Sequence, residues 1–214
     1  MLIIGLVAEG THDFIMLDPF IRQELEARTG QPVKFKALQP MQDQTGAMTS
    51  GGWSRVVAWC KSNAGSRIDT FFEPIFEGDE VCSAIVVHLD GDALELIGSH
   101  TTVAIPLPVN DVATRVSLLV EILENLLAAS DLRRSMLAFA LPVLQTEAWV
   151  LDAEGSASNC ETLDAKAEFR KNYGPRERIV HRYQERAQGI QGSASAENCL
   201  SFQHFKSELR KLPL

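Results

Sequence analysis

Long hydrophobic runs are missing from this sequence of 214 residues, although hydrophobic residues make up 45% of it. No run approaches the roughly 18 to 20 apolar residues that a membrane-spanning helix requires. The opening segment "MLIIGLVAEG" has no basic flank and meets an acid at Glu9, so we expect a buried strand there rather than a secretory signal. Such a composition is typical of a soluble folded protein. We therefore expect a globular protein of the cytoplasm without a membrane partner.

Cysteine is scarce, and the spacing of the cysteines does not suit a disulfide framework or a structural zinc site. The four cysteines, Cys60, Cys82, Cys160 and Cys199, form no C-x-x-C pair and have no histidine at zinc-finger spacing. Buried reduced thiols are therefore expected rather than a disulfide framework or a structural zinc site.

Positive charge is also in deficit, because 20 Lys and Arg face 28 Asp and Glu, for a formal net charge of −8. Binding of nucleic acid by electrostatics alone depends on Lys and Arg, so that class of protein is excluded. An enzyme whose acids hold divalent cations is not. The exception is residues 166–186, with seven Lys or Arg against three Glu, which form either a phosphate-facing surface or a solvated helical face.

Motifs for ATP hydrolysis and for covalent catalysis are missing as well. The loop "TSGGWS" lacks the G-x-x-x-x-G-K-[ST] pattern; it is either a phosphate cradle at a helix start or an ordinary turn. The two tyrosines, Tyr173 and Tyr183, lie in the polar carboxyl-terminal part. A covalent tyrosine at a strand end is therefore not expected.

The pattern that is present alternates apolar strands with helices. Strands are predicted at "LIIGLVA", "PVKFKAL", "AIVVHLD" and "MLAFALPV". Helices are predicted after Thr11 as a cap, at "WSRVVAWCKSN", after Asp111 as the cap of the longest helix, and at "TEAWVLDA". Residues 64–80 are expected to be a surface loop, and "TVAIPL" an edge strand or an extended loop.

This alternation predicts an α/β fold, a mostly parallel sheet with helices on both faces. We expect residues 1–154 to form the α/β domain. Residues 155–214 are more polar and are expected to form a helical carboxyl-terminal extension packed on it.

Acidic residues follow three of the predicted strands, namely Glu9, Asp90 and Glu147. Ligands of parallel sheets bind beyond the carboxyl ends of the strands. In "HLDGDA", Asp90 and Asp92 are two apart, so in an extended segment both side chains face the same way. A divalent cation would relieve their repulsion, about 4 kcal/mol at about 4 Å. Taken singly, Asp-Gly-Asp is also an ordinary turn, and Glu9 is also an acid stabilised by a helix dipole.

Four segments together resemble a known superfamily. The segment "VAEGTHD" resembles the glutamate motif of the TOPRIM superfamily, and "VVHLDGDA" resembles its D-x-D motif. The segments "TEAWVLDA" and "LSFQHFKSEL" are similar to segments of small stand-alone bacterial TOPRIM-like proteins related to OLD-type nucleases. The resemblance implies a TOPRIM-like sheet and a divalent-metal-dependent nuclease.

The resemblance also implies a set of metal ligands. Glu9 would bind metal or transfer a proton, Asp90 and Asp92 would be the metal-binding pair, and Glu147 with Asp152 would hold a second metal. Two Mg²⁺ or Mn²⁺ ions are expected, because hard cations of this kind take oxygen ligands.

Further residues are expected to meet the substrate. Lys166 would neutralise charge in the transition state, with Arg170 as the second candidate, while Gly10 and His12 lie beside the acidic motif. His88, inside an apolar strand, is interpreted as a core histidine.

The resemblance implies DNA or RNA as the substrate, and a phage-defence or toxin system that often includes an ABC-type ATPase. Two alternatives remain open. The chain could be a non-catalytic partner or regulatory subunit of such an ATPase, or it could transfer phosphoryl groups on a small nucleotide.

Overall fold

A computed structural model describes residues 1–41, 51–155, 161, 164–173 and 198–214. Its centre is one sheet of four parallel strands in the order β2-β1-β3-β4. The strands are β1 (Leu2–Val7), β2 (Val33–Gln39), β3 (Ala84–His88) and β4 (Leu137–Ala140). The α/β class and the parallel sheet expected from the sequence are confirmed.

Helices connect and cover these strands. They are α1 (Thr11–Thr29), α2 (Trp53–Ser62), α3 (Leu94–Ile97), α4 (Val112–Leu127), α5 (Asp131–Arg134), α6 (Glu147–Ala153), α7 (Ala165–Tyr173) and α8 (Leu200–Lys211). Short 3-10 helices occupy Gly65–Phe71, Gly91–Ala93 and Gly98–His100. No helix in the described ranges is both long enough and apolar enough to cross a membrane.

Both faces of the sheet are buried, which explains the continuous apolar strands. In β3, Ala84 and Val86 face one core, while Ile85 and Val87 face the other. The first core lies under α1, α6, α7 and α8, and the second lies under α2 and α4. Helices on both faces are therefore confirmed.

Aromatic packing joins α6 to α8. The ring of Trp149 in α6 stacks on Phe205 of α8, with centroids 5.5 Å apart and planes at 10°. Its Nε1–H donates to Ser201 Oγ at 2.8 Å. The described helices of the carboxyl-terminal part therefore share a core with α1 and α6; the domain boundary at residue 154 stays a prediction.

Some local expectations are wrong. Gly10, not Thr11, is the N-cap of α1, and its N–H donates to Asp13 Oδ2 at 2.8 Å. The longest of the described helices is α1, with 19 residues, whereas the helix capped by Asp111 has 16. That cap is itself confirmed, because the Asp111 carboxylate accepts the Thr114 N–H at 2.7 Å.

Between residues 64 and 80 the predicted loop contains a 3-10 helix, Gly65–Phe71, because Ile68 is buried against the second core. The "TVAIPL" segment forms no strand and is an extended loop. Cys60 and Cys82 are buried free thiols, as expected, and Cys199 is buried as well. Cys160 and Tyr183 lie outside the described residues, and Tyr173 ends α7.

Candidate functional site

The acids that follow β1 and β3 meet at the carboxyl edge of the sheet. Val7 pairs with Val87 in the sheet, so the residues after these two strands leave it side by side. The backbone N–H of Asp90 donates to Glu9 Oε1 at 2.9 Å. Two acids separated by 81 positions in the chain are thus brought into direct contact, as the strand-end rule predicts.

Asp90 is the best-anchored acid, with only 5% of its surface exposed. Its Oδ1 accepts the N–H and the hydroxyl of Thr146 at 3.1 and 3.0 Å. Its Oδ2 lies 3.1 Å from the ammonium nitrogen of Lys166. Lys166 in turn is positioned by its backbone N–H, which donates to Gln145 Oε1 at 2.8 Å. Asp90 and Lys166, both of which were assigned to the site from the sequence, are therefore in contact.

Glu147 begins α6, just beyond β4, and is 9% exposed. Its Oε2 is buried and has no hydrogen-bond partner among the described residues. Burial, followed by the negative charge of Asp90, raises the pKa of Glu147 to about 7, although Lys166 acts in the opposite direction. The carboxyl group is therefore poised between its neutral and charged forms near neutral pH.

Glu9 is in the same condition. Burial is again the largest cause, with the charge of Asp90 second, and the pKa of Glu9 is raised to about 7. Burial also raises the pKa of Asp13. Since burial penalises charged carboxylates and neighbouring acids add repulsion, this edge holds more acid than its cations balance.

For Asp90 the balance is reversed. Burial by itself raises the pKa of Asp90, but the hydrogen bond and charge of His88 and the ammonium of Lys166 outweigh it, so the pKa is lowered. The pKa of Lys166 is correspondingly raised, because the charges of Asp90 and Glu147 outweigh the effect of its burial. Asp90 is therefore the acid of the cluster whose charged form its neighbours favour.

Three members of this cluster were not assigned to it by the sequence: Asp13, His88 and Thr146. His88 is fully buried, as expected of a core histidine, but its Nε2 lies 2.6 Å from Thr146 Oγ1 and 3.4 Å from Asp90 Oδ1. Its Nδ1 lies 3.9 Å from Asp13 Oδ2. Burial by itself lowers the pKa of His88. The neighbouring Asp13 and Asp90 outweigh burial and raise the pKa from 6.5 to about 9. Asp13 stands in the same short segment as Glu9, "VAEGTHD", and this closeness in sequence could have placed it in the site.

Asp92 is placed differently from the expectation. Asp90 is extended, but the chain then enters the 3-10 helix Gly91–Ala93, so the two-residue rule for extended segments does not apply. Gly91 makes this turn possible, because a Cβ there would lie 1.9 Å from the carbonyl oxygen of Val143. Asp92 is exposed at the rim of the cluster. Its pKa is raised by partial burial and by the charge of Asp90.

Asp152 is engaged away from these acids. Its two carboxyl oxygens accept the N–H and the side-chain amide of Asn198, each at 3.1 Å. Its separation from Glu147 by five residues, about one and a half helical turns, accounts for the different direction. Through these bonds Asp152 ties α6 to the start of α8, and its assignment as a metal ligand stays a prediction.

The expected substrate contacts, Gly10, His12 and Arg170, lie on or next to the helices α1 and α7. The N–H of Gly10 is used by Asp13, and His12 lies half-buried in the first turn of α1. Arg170 is exposed on α7, about one turn after Lys166. In the "TSGGWS" loop the Gly52 N–H donates to the Glu9 carbonyl at 2.6 Å, which favours the ordinary-turn interpretation.

The donor set suits a hard cation, because it consists of carboxylate oxygens, one of which has no hydrogen-bond partner in the described structure. No group of three or more His, Cys, Asp or Glu in the described ranges is already arranged as a metal cage. The Lys166 ammonium contacts the oxygen that a cation would use. Such a cluster can exchange protons near neutral pH and can attract a cation.

No protein-family model matches this chain, and neither curated proteins nor solved structures match it. Function is therefore inferred from the chemistry of the acid cluster together with the sequence motifs.

Proposed function

We propose that the protein is a Mg²⁺- or Mn²⁺-dependent nuclease that hydrolyses phosphodiester bonds of DNA or RNA. The observation that carries the proposal is the convergence of four carboxyl groups on two cationic groups at the carboxyl edge of the sheet. The carboxyl groups belong to Glu9, Asp13, Asp90 and Glu147, and the cationic groups belong to His88 and Lys166. A bound divalent cation would offset the excess negative charge.

Each residue has a distinct role in this proposal. Asp90 and Glu147 would hold cations, together with Asp92 at the rim. Glu9, with its pKa of about 7, suits proton transfer as well as metal binding. Lys166 would move from Asp90 to the phosphate oxygens and neutralise developing charge there. Two bound ions would supply an activated water and stabilise the leaving oxygen.

Cleavage of DNA and RNA by the purified protein, with Mg²⁺ or Mn²⁺, tests the proposal. We expect activity in the wild type and a loss of at least about a hundredfold in Glu9→Ala and Asp90→Ala. Asp111→Ala, which removes the N-cap of α4, is the folded-state control and should stay active. Full activity in both site variants would refute the assignment. Cleavage of a small nucleotide alone would redirect it to phosphoryl transfer on that substrate.

The second candidate is a non-catalytic partner or regulatory subunit of an ABC-type ATPase. It is favoured by the pairing of Asp90 with Thr146 and Lys166, which satisfies this carboxylate without any metal. Calorimetric titration with Mn²⁺ separates the two candidates. A nuclease should bind the ion through Glu9 and Asp90, whereas a structural cluster should show no binding at millimolar concentration.

A phage-defence or toxin setting in the cytoplasm is part of the same proposal. The buried free thiols of Cys60 and Cys82 fit a reducing compartment. Because the sequence has no Walker A motif, any ATP hydrolysis would come from a partner.

A further inference from the structure

The two carboxylate oxygens of Asp90 have unlike surroundings. Oδ1 accepts both the N–H and the hydroxyl of Thr146, at 3.1 and 3.0 Å. Oδ2 contacts only a flexible cation in the described structure, the Lys166 ammonium at 3.1 Å. One oxygen is therefore held by the interior of the protein, and the other is presented to a positive charge.

The direction of the hydrogen bonds around Oδ1 follows from the available protons. A carboxylate oxygen only accepts, and the hydroxyl of Thr146 has a single proton, so that proton points to Asp90. The hydroxyl oxygen must then accept from His88, whose Nε2 lies 2.6 Å away. A chain of hydrogen bonds thus runs from His88 through Thr146 to Asp90, and in it Nε2 of His88 carries a proton and donates it to Thr146.

Thr146 also has a particular place in the fold. It is fully buried and is the N-cap of α6, immediately before Glu147. His88 ends β3, two residues before Asp90. The hydroxyl of Thr146 therefore joins the end of β3 to the start of the helix that carries a second acid. A rotation of Asp90 would break its bonds to both groups of Thr146.

We propose that Thr146, supported by His88, is a positioning residue that turns Asp90 Oδ2 towards a bound cation and sets the place of Glu147 beside it. This inference rests on the proposed metal-dependent function. Groups that orient metal ligands through hydrogen bonds typically contribute about 10-fold to 100-fold to metal affinity. Neither Thr146 nor His88 needs to touch the cation for this effect.

The substitutions Thr146→Val and Thr146→Ser test the hydroxyl. Valine keeps the branched shape without the hydroxyl, and serine keeps the hydroxyl. We expect Thr146→Val to raise the Kd for Mn²⁺ about tenfold or more and to alter the EPR line shape of the bound ion, with Thr146→Ser within about threefold of the wild type.

The matched control is Thr114→Val. The Thr114 hydroxyl donates to Asp111 Oδ2 at 2.7 Å, which is the same kind of bond at the exposed N-cap of α4. This variant should bind Mn²⁺ as the wild type does, with the same EPR line shape.

The outcomes distinguish the metal site itself from the positioning role of Thr146. A wild type that does not bind Mn²⁺ overturns the metal site and this inference with it. A wild type that binds, with Thr146→Val of equal affinity, overturns only the positioning role. Should Thr146→Val fail to fold, His88→Leu and His88→Gln decide. Leucine should weaken binding about tenfold and glutamine less, because its amide can donate to Thr146. Equal affinity of His88→Leu and the wild type overturns the inference.

Discussion

Each end of β4 carries a cluster of charged groups around a buried carboxyl group. The two clusters differ in the number of acids for each base. At the amino end, Arg134 donates to the Leu137 carbonyl and pairs with Glu124 and with Glu208, and Lys211 also pairs with Glu208. Two acids meet two bases there. At the carboxyl end, four carboxyl groups meet Lys166 and His88 as the two bases among the described residues.

This difference in balance sets the direction of the pKa shifts. Glu208 is 4% exposed, and burial by itself raises its pKa, but Lys211 and Arg134 outweigh burial and lower it. At Glu9 and Glu147 the opposing effects of His88 and Lys166 are smaller than the effect of burial, so the pKa of each is raised to about 7. Similar burial therefore gives a structural ion network at one end and an unbalanced, reactive cluster at the other.

Removing the arginine would break the balanced end and should have the largest effect. Arg134→Met leaves Glu208 buried with only Lys211, and we expect the free energy of unfolding to fall by about 3 kcal/mol. Urea denaturation at neutral pH measures it. Arg210→Met is the control, because its pair with Glu24 at 2.6 Å involves an arginine side chain that is 59% exposed, and it should lose less than about 1 kcal/mol. Equal losses would contradict the difference in burial.

The pH dependence of stability should separate the two ends. Glu9 and Glu147 have their pKa raised from 4.5 to about 7, and His88 from 6.5 to about 9. A raised pKa gives stability that is fully present below the ordinary value and lost as the pH rises through the folded value. We expect the free energy of unfolding to fall steadily as the pH rises from about pH 5 to about pH 9.

The lowered pKa of Glu208 acts in the opposite sense: its stabilising contribution is present above the ordinary value and is lost only as the pH falls through the folded value. Urea denaturation at a series of pH values, with and without about 5 mM Mg²⁺, provides the measurement. Mg²⁺ should stabilise the protein more at about pH 8 than at about pH 5, because cations bind deprotonated acids. An equal effect at both pH values would count against a cation site built from these acids.

Neutralising one acid at each end sharpens the comparison. Glu9→Gln keeps an oxygen to accept the Asp90 N–H and removes repulsion, so at about pH 8 the free energy of unfolding should rise by about 1 kcal/mol. At about pH 5 the gain should vanish, since Glu9 is then protonated. Glu208→Gln, at the balanced end, should instead destabilise the protein at about pH 8. A gain for Glu208→Gln, or none for Glu9→Gln, would contradict the charge balance described above.

The smallest effects on Mn²⁺ binding are expected from substitutions at the border of the acid cluster and beyond it. Asp152→Asn should leave the Mn²⁺ Kd within about twofold, because Asp152 bonds Asn198 rather than the acid cluster. Asp92→Asn, at the rim, should weaken binding several-fold by removing one carboxylate near the ion. Isothermal titration calorimetry compares the two variants with the wild type. A strong effect of Asp152→Asn would restore it as a ligand.

Much of the fold followed from local pattern. "LIIGLVA" and "AIVVHLD" are apolar almost throughout because both faces of the sheet are covered. The acids that end these segments lie at one edge of the sheet because the strands are parallel. Asp13 and His88 escaped assignment because an acid in the first turn of a helix and a histidine within a strand are both ordinary in a sequence. The bonds of Asp152 to Asn198 could not be predicted, because helical spacing limits which residues share a face but does not determine what each one contacts.

The sequence by itself determined the parallel sheet and the positions of Glu9, Asp90 and Glu147 at one edge of it, since strand periodicity and chain order are local properties. Tertiary structure alone decided that the pKa of Asp90 is lowered while those of Glu9 and Glu147 are raised to about 7, and that Thr146, backed by His88, holds one oxygen of Asp90. The physical reason is that pKa values and hydrogen-bond chains depend on burial and on distances of a few ångströms between residues far apart in the chain.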